Sequence, residues 1–284
     1  MLVMAFLFQL SVMKFICFEG NIYPADKPVL LAANRGFRYG DGLFETMKIV
    51  RGNILHETYH YERLLQGLRL LNISHNRFNT TEISRSIIDL CWRNECLQHA
   101  RVRLAVFRTE HNFASHVIEA VPLDADPNTF HQHGLHVGLY PFARKSVDAF
   151  ANLKTANYLP YVMADLYAKE KRLDECLLLN VENNICDASK ANLFLLVGNE
   201  AFTPALHQGC VNGIKRRFVI EELKKMEVVV HQKEITEELL LRADEVFLTN
   251  AIIDLRWVKR YKAKTYTNSF TAQFYQSTFS TNYK

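Results

Sequence analysis

A chain of 284 residues can bury a core as one large domain or two ordinary ones, and its 49% hydrophobic and 23% charged content is that of a globular protein. Its 34 basic and 30 acidic residues leave a net charge of +4, spread without a basic block, which excludes nucleic acid as the natural partner. The six cysteines form no C-x-x-C pair and read as buried free thiols of a reducing compartment.

Met1 to Met13 is an uncharged apolar stretch with no basic leader and no small-residue cleavage site, and Lys14 ends it too early for a membrane span. It is set aside as an N-terminal extension, 1–13, and the protein is expected to be cytoplasmic, with no membrane partner. Phe15 to Ile22 reads strand, turn, strand around Glu19-Gly20-Asn21. Gly36, Gly40 and Gly42 then mark a shaped loop, followed by a strand that Arg51-Gly52-Asn53 turns back as a hairpin. Tyr61, Leu64, Leu65, Leu68 and Leu71 recur at helical spacing, and a second helix is predicted from Thr81 to Cys96 behind Asn79 and Glu82. Arg101–Phe107 and His116–Val121 complete a small α+β domain, 14–122, with a largely antiparallel sheet.

Asp124, Asp126, Pro127 and Asn128 mark a linker, 123–134, and the larger domain is expected over 135–284. It opens with a strand from Leu135 to Tyr140. A helix from Pro160 to Leu173 is predicted to carry Met163, Leu166 and Tyr167 on one face. Strands are expected at Glu175–Val181, at Ala191–Val197 and on the approach to Gly213. A helix then follows to Met226, a strand at Val228–Val230, a short helix at Thr236–Arg242, a strand at Glu245–Thr249 and a last helix from Ser269. His131, His133 and His136 sit in or beside the linker without the spacing of a metal site, so no metal is expected.

Four features carry possible chemistry. Lys154 stands alone in an uncharged sentence, and a lysine amine attacks carbonyls when desolvation or a nearby cation lowers its pKa. Arg63, on a helix whose other face is leucine, offers a forked donor for phosphate or carboxylate. Asn212-Gly213-Ile214 opens a helix, whose N–H groups and dipole favour an anion. Asp187 is an acid set between apolar strands, suited either to capping a turn or to holding a buried cation.

The order N-R-G-x-x-Y-G-D-G-x-F-E, H-x-x-R-L, K-x-x-N, D-x-S-x-x-N-x-F, N-G-I-x-R and T-N-A resembles the fold-type IV pyridoxal-phosphate enzymes. That family includes the class IV aminotransferases and 4-amino-4-deoxychorismate lyase. The resemblance runs from about residue 15 to 260 and implies a two-domain α+β fold, with a small N-terminal domain and a larger β-barrel-like C-terminal one. It implies pyridoxal 5'-phosphate as cofactor, with Lys154 as the Schiff-base lysine and Arg63 on the phosphate. Ile214 and Lys215 would add backbone amides to that phosphate, with Asn250 and Ala251 in the last cofactor-binding segment. Asp187 stands where the family usually has glutamate, so the carboxylate facing the ring nitrogen is one methylene shorter. Tyr39 and Glu45 match residues at the active-site mouth, and Arg103, Arg108 and Arg38 are candidates for the substrate carboxylate.

The implied reaction is transamination between a small amino acid and a 2-oxo acid, in a homodimer. The alternative is the lyase reaction, which yields 4-aminobenzoate and pyruvate from the same catalytic residues. A third reading is a non-catalytic binding module on the same fold, which the retention of Lys154 and Arg63 disfavours.

Overall fold

A computed structural model describes residues 13–123 and 130–279. The 1–13 extension, save Met13, and half of the 123–134 linker, 124–129, lie outside these residues. The chain divides into two compact units: 13–123 together with Leu153–Asn157, and 130–152 together with 158–279.

The first unit is built on a six-stranded sheet in the order β2-β1-β6-β5-β3-β4, antiparallel throughout. Its strands are β1 (Phe15–Phe18), β2 (Asn21–Pro24), β3 (Gly42–Val50), β4 (Asn53–Ile54), β5 (His99–Arg108) and β6 (Ala114–Pro122). The loop expected around Gly36 instead contains a short helix, α1 (Arg35–Tyr39). The Asn34 side chain accepts from Phe37 N–H at its start, and Gly40 closes it at φ 63°. Two longer helices, α2 (Glu57–Leu70) and α3 (Thr80–Arg93), bury Leu64, Leu68, Ile83, Ile87 and Leu90 in one core with Met47, Val102, Leu104 and Ile118 of the strands. Asn79 caps α3, accepting from the N–H groups of Thr81 and Glu82, so the predicted start holds within one residue.

The second unit carries a nine-stranded mixed sheet, ordered β12-β11-β10-β13-β14-β7-β8-β9, with β15 beside β14. The strands are β7 (Leu135–Lys145), β8 (Glu175–Asn180), β9 (Ile185–Ala188), β10 (Asn192–Val197), β11 (Glu200–Pro204), β12 (Val229–Lys233), β13 (Glu245–Asn250), β14 (Asp254–Tyr261) and β15 (Lys264–Thr265). The helices are α4 (Leu159–Glu170), α5 (Ile214–Lys225), α6 (Glu237–Arg242) and α7 (Ser269–Thr278). No helix among the described residues is long and apolar enough to cross a membrane.

Three differences from the sequence reading matter for the site. The first strand runs on past Tyr140 and Pro141 to Lys145, because a register shift between Leu139 and Arg144 accommodates the proline. The stretch before Gly213 is not a strand: Val211 gives its N–H to Asp187 and its carbonyl to Asn192, side chains taking the place of a neighbouring strand. On α4 the buried face is Tyr161, Ala164 and Ala168, while Met163 and Leu166 are exposed. Alanine lets the helix approach β7 and β8 closely, which outweighs the larger apolar side chains.

Candidate active site

In the first unit the site begins with spacing. His60 and Arg63 are three residues apart on α2, so both side chains lie on one face of that helix. Both reach Glu45 on β3: His60 Nδ1 lies 2.6 Å from Oε2, while Arg63 donates from Nε to Oε1 at 2.8 Å and from Nη2 to Oε2 at 2.5 Å. Glu45 is 1% exposed. Burial alone would raise its pKa, but the Arg63 charge and the His60 and Arg63 bonds overcome it and hold the carboxyl at about 2.

Lys154 belongs to a short segment bonded along the edge of β3. Its carbonyl accepts from Phe44 N–H at 2.9 Å, and Ala156 N–H donates to the Gly42 carbonyl at 2.9 Å. This pairing sets Lys154 opposite Phe44, and its ammonium lies 4.4 Å from the centre of the Phe44 ring. Arg103, a diagonal neighbour of Phe44 across the sheet, lies 4.1 Å from the same ring and pairs with Glu119 across β6 at 3.6 Å. The asparagine of K-x-x-N explains a glycine of Y-G-D-G: Asn157 donates to the Gly40 carbonyl at 3.3 Å, and a Cβ on Gly40 would stand 2.4 Å from Asn157 Oδ1.

The remaining candidates in this unit fare differently. Tyr39 is exposed, with Arg35 and Arg38 at 5.3 and 5.4 Å from its ring. Arg108, the next candidate for the substrate carboxylate, is bonded within its own unit. Its Nε bonds Asp41 at 2.9 Å, Nη2 the Leu71 carbonyl at 2.8 Å, and Nη1 the Asn72 carbonyl and Asn112. Each nitrogen of the fork thus reaches a neighbouring loop.

In the second unit the centre is Asp187 on β9, 2% exposed. Its Oδ2 accepts from Lys145 Nζ at 2.9 Å, Tyr161 O–H at 2.8 Å and Val211 N–H at 2.9 Å; its Oδ1 accepts from Asn192 Nδ2 at 2.9 Å. Burial, and then the Asp187 charge, push the Tyr161 phenol well above its ordinary pKa, so it stays a neutral donor. Asn192 also donates to the Val211 carbonyl at 2.9 Å. A Cβ on Gly213 would fall 1.8 Å from Asn192 Oδ1, so only glycine fits where α5 begins.

Gly213, at the N-cap of α5, has no side chain to accept from the first turn. Lys215 turns its own side chain inward to Asp254 at 2.7 Å, both nearly fully buried, which leaves its backbone as the part that could serve a ligand. Asn250 accepts from the N–H groups of Ile252 and Ile253 and donates to the Lys190 carbonyl, shaping the turn that holds Ala251. Lys145 and Tyr161 escape the sequence reading. Lys145 lies beyond the proline at which that reading ends the strand, and Tyr161 reads as one more aromatic residue of a helix. Among the described residues no cluster of side chains could hold a metal, and all six cysteines are free and buried.

The family model described as amino-transferase class IV matches residues 42–261. A protein of Aquifex aeolicus named "Probable branched-chain-amino-acid aminotransferase" is 26% identical over 260 residues, covering 86% of this chain and 83% of its own length. The aminodeoxychorismate lyase of Bacillus subtilis is 25% identical over 244 residues, covering 84% and 83%. The branched-chain aminotransferase of Thermoproteus uzoniensis, solved with norvaline, superposes with a TM-score of 0.83 at 20% identity, covering 93% of this chain and 92% of that one. At that identity the superposition establishes the fold, which is fold type IV. The aminotransferase and the lyase are nearly equal in identity, so the comparison does not choose between the two reactions. The match over 42–261 does establish the larger group, and the chain belongs to the class IV amino-transferase family.

Proposed function

We propose that the protein is a pyridoxal-phosphate-dependent aminotransferase that exchanges an amino group between a small amino acid and a 2-oxo acid. The observation that carries the proposal is Lys154, fixed by its own backbone to β3 with its amine over the Phe44 ring.

The residues present fit the cofactor. Asp187 is a buried carboxylate suited to a protonated ring nitrogen, and the start of α5 behind Gly213, a helix N-terminus, suits a phosphate. Arg63 keeps a guanidinium beside Glu45 in the first unit, adding to the phosphate-binding set. When bound, pyridoxal phosphate supplies an aldehyde that joins the substrate amine and a ring that accepts its electrons. The chain supplies the rest. Lys154 is the amine that first holds the aldehyde and then takes and returns the proton at the substrate α-carbon. Asp187 orients the ring nitrogen, and the amides of Ile214 and Lys215, with the Asn250–Ala251 turn, hold the phosphate. Arg103, on the same Phe44 ring as Lys154, is the arginine best placed for a substrate carboxylate, with Arg38 and Tyr39 on the neighbouring loop.

The lyase is kept as the second reading because a protein of that name is as similar as the aminotransferase. Purified protein should convert an amino acid to its keto acid only when a 2-oxo acid acceptor is supplied. Release of 4-aminobenzoate from aminodeoxychorismate with no acceptor present would replace the first reading by the second.

A further inference from the structure

Lys145 belongs to none of the motifs, yet it is built into the core of the second unit. It is the last residue of β7 and is 8% exposed. Its ammonium donates to Asp187 Oδ2 at 2.9 Å and to the Gly209 carbonyl at 2.5 Å, with the Tyr161 ring centre 4.9 Å away. Gly209 is itself fixed: its φ is +85°, and a Cβ there would come within 2.4 Å of the Ser146 carbonyl. A buried ammonium persists only with partners of this quality, because desolvating it is otherwise too costly.

The donors on Asp187 are unequally shared. Three fall on Oδ2 and one, from Asn192, on Oδ1. Each carboxylate oxygen offers two lone pairs, so Oδ2 is crowded by its three donors and Oδ1, with one, has room for another. The charge is shared as well. A lone buried carboxylate would bind a cationic N–H strongly, since nothing else offsets its charge, but Lys145 already offsets that of Asp187. The shorter aspartate arm and the adjacent lysine therefore act in the same direction.

Resting on the reading of Asp187 as the ring-nitrogen partner, we propose that Lys145 is a positioning residue that shares the charge of Asp187. The protein then holds the cofactor's ring nitrogen by a one-sided hydrogen bond instead of a full ion pair. Affinity should come mainly from the phosphate and from Lys154, and depend little on the nitrogen.

The test compares pyridoxal phosphate with its analogue carrying CH in place of the ring nitrogen. Both present the same aldehyde and phosphate, so their ratio of dissociation constants isolates the nitrogen. The full chain, freed of small molecules by dialysis, is titrated with each by equilibrium dialysis. Wild type should bind the two within about threefold of each other. Lys145→Met should widen the preference for pyridoxal phosphate to about tenfold or more, and Lys145→Arg, which keeps the charge, should restore the wild-type ratio. A wild type preferring pyridoxal phosphate by about a hundredfold, or a Lys145→Met ratio equal to wild type, overturns the inference while leaving the cofactor in place. If Lys145→Met does not fold, the wild-type ratio decides alone. If wild type binds neither molecule, the cofactor reading itself fails and takes this inference with it.

Discussion

Glu45 shows how one buried carboxylate can order the side chains around it. It accepts from Arg63 twice and meets His60 in a buried setting, which fixes the arginine fork before any ligand arrives. Its pKa of about 2, against an ordinary 4.5, makes it a stability element with a defined pH window. A carboxyl depressed on folding contributes in full above about pH 4.5, and the contribution is lost as pH falls towards 2. Glu45→Gln should cost about 3–5 kcal/mol at pH 7, because the arginine charge loses its buried counter-charge. Urea unfolding at pH 7 and at pH 3 checks this. The gap between wild type and variant should shrink at the lower pH, and an unchanged gap would mean the carboxylate is not the source of the stability.

The elements show which parts of the site can be read from sequence and why. Lys154, Arg63 and Asp187 stand out because each is a charged residue in a distinctive local pattern. Asn157 and Gly40 belong to separate motifs, and only the pairing of 153–157 with β3 explains why both are needed. Lys145 is hidden because the expected strand stops at Tyr140, before Pro141, whereas a register shift carries β7 five residues further. Arg108 is legible as an arginine of β5, but the three loops its nitrogens reach are not, because they lie far apart in the chain. β9, buried at every position, lacks the alternation that marks a half-exposed strand and is likewise illegible. At the start of α5 the fit is tight enough to test. Gly213→Ala must displace the Asn192 amide, which joins Asp187 to the Val211 carbonyl. Such overpacking costs about 1–3 kcal/mol in a core, and pyridoxal phosphate affinity should fall about tenfold or more with it. Thermal melting and cofactor titration together check both, and unaltered affinity would separate this helix start from phosphate binding.

At the scale of the whole molecule, each unit has its own sheet and its own core, and each holds part of the proposed machinery. The amine, Arg63 and Arg103 belong to the first; Asp187, its donors and the start of α5 belong to the second. The two-part α+β organisation is read from the composition shift at Asp124, Asp126, Pro127 and Asn128. Leu153–Asn157 is not, because its membership of the first unit depends on backbone bonds to Gly42 and Phe44, more than a hundred residues earlier. The proposed function requires that Lys154, alone among the lysines, hold the cofactor covalently. Borohydride reduction of the purified protein with pyridoxal phosphate, followed by peptide mass spectrometry, tests it most directly. The phosphopyridoxyl group should be found on the peptide containing Lys154, and Lys154→Ala should abolish the label there. Stoichiometric label on any other lysine, Lys145 included, or no label in the wild-type protein, would rule out Lys154 as the cofactor lysine.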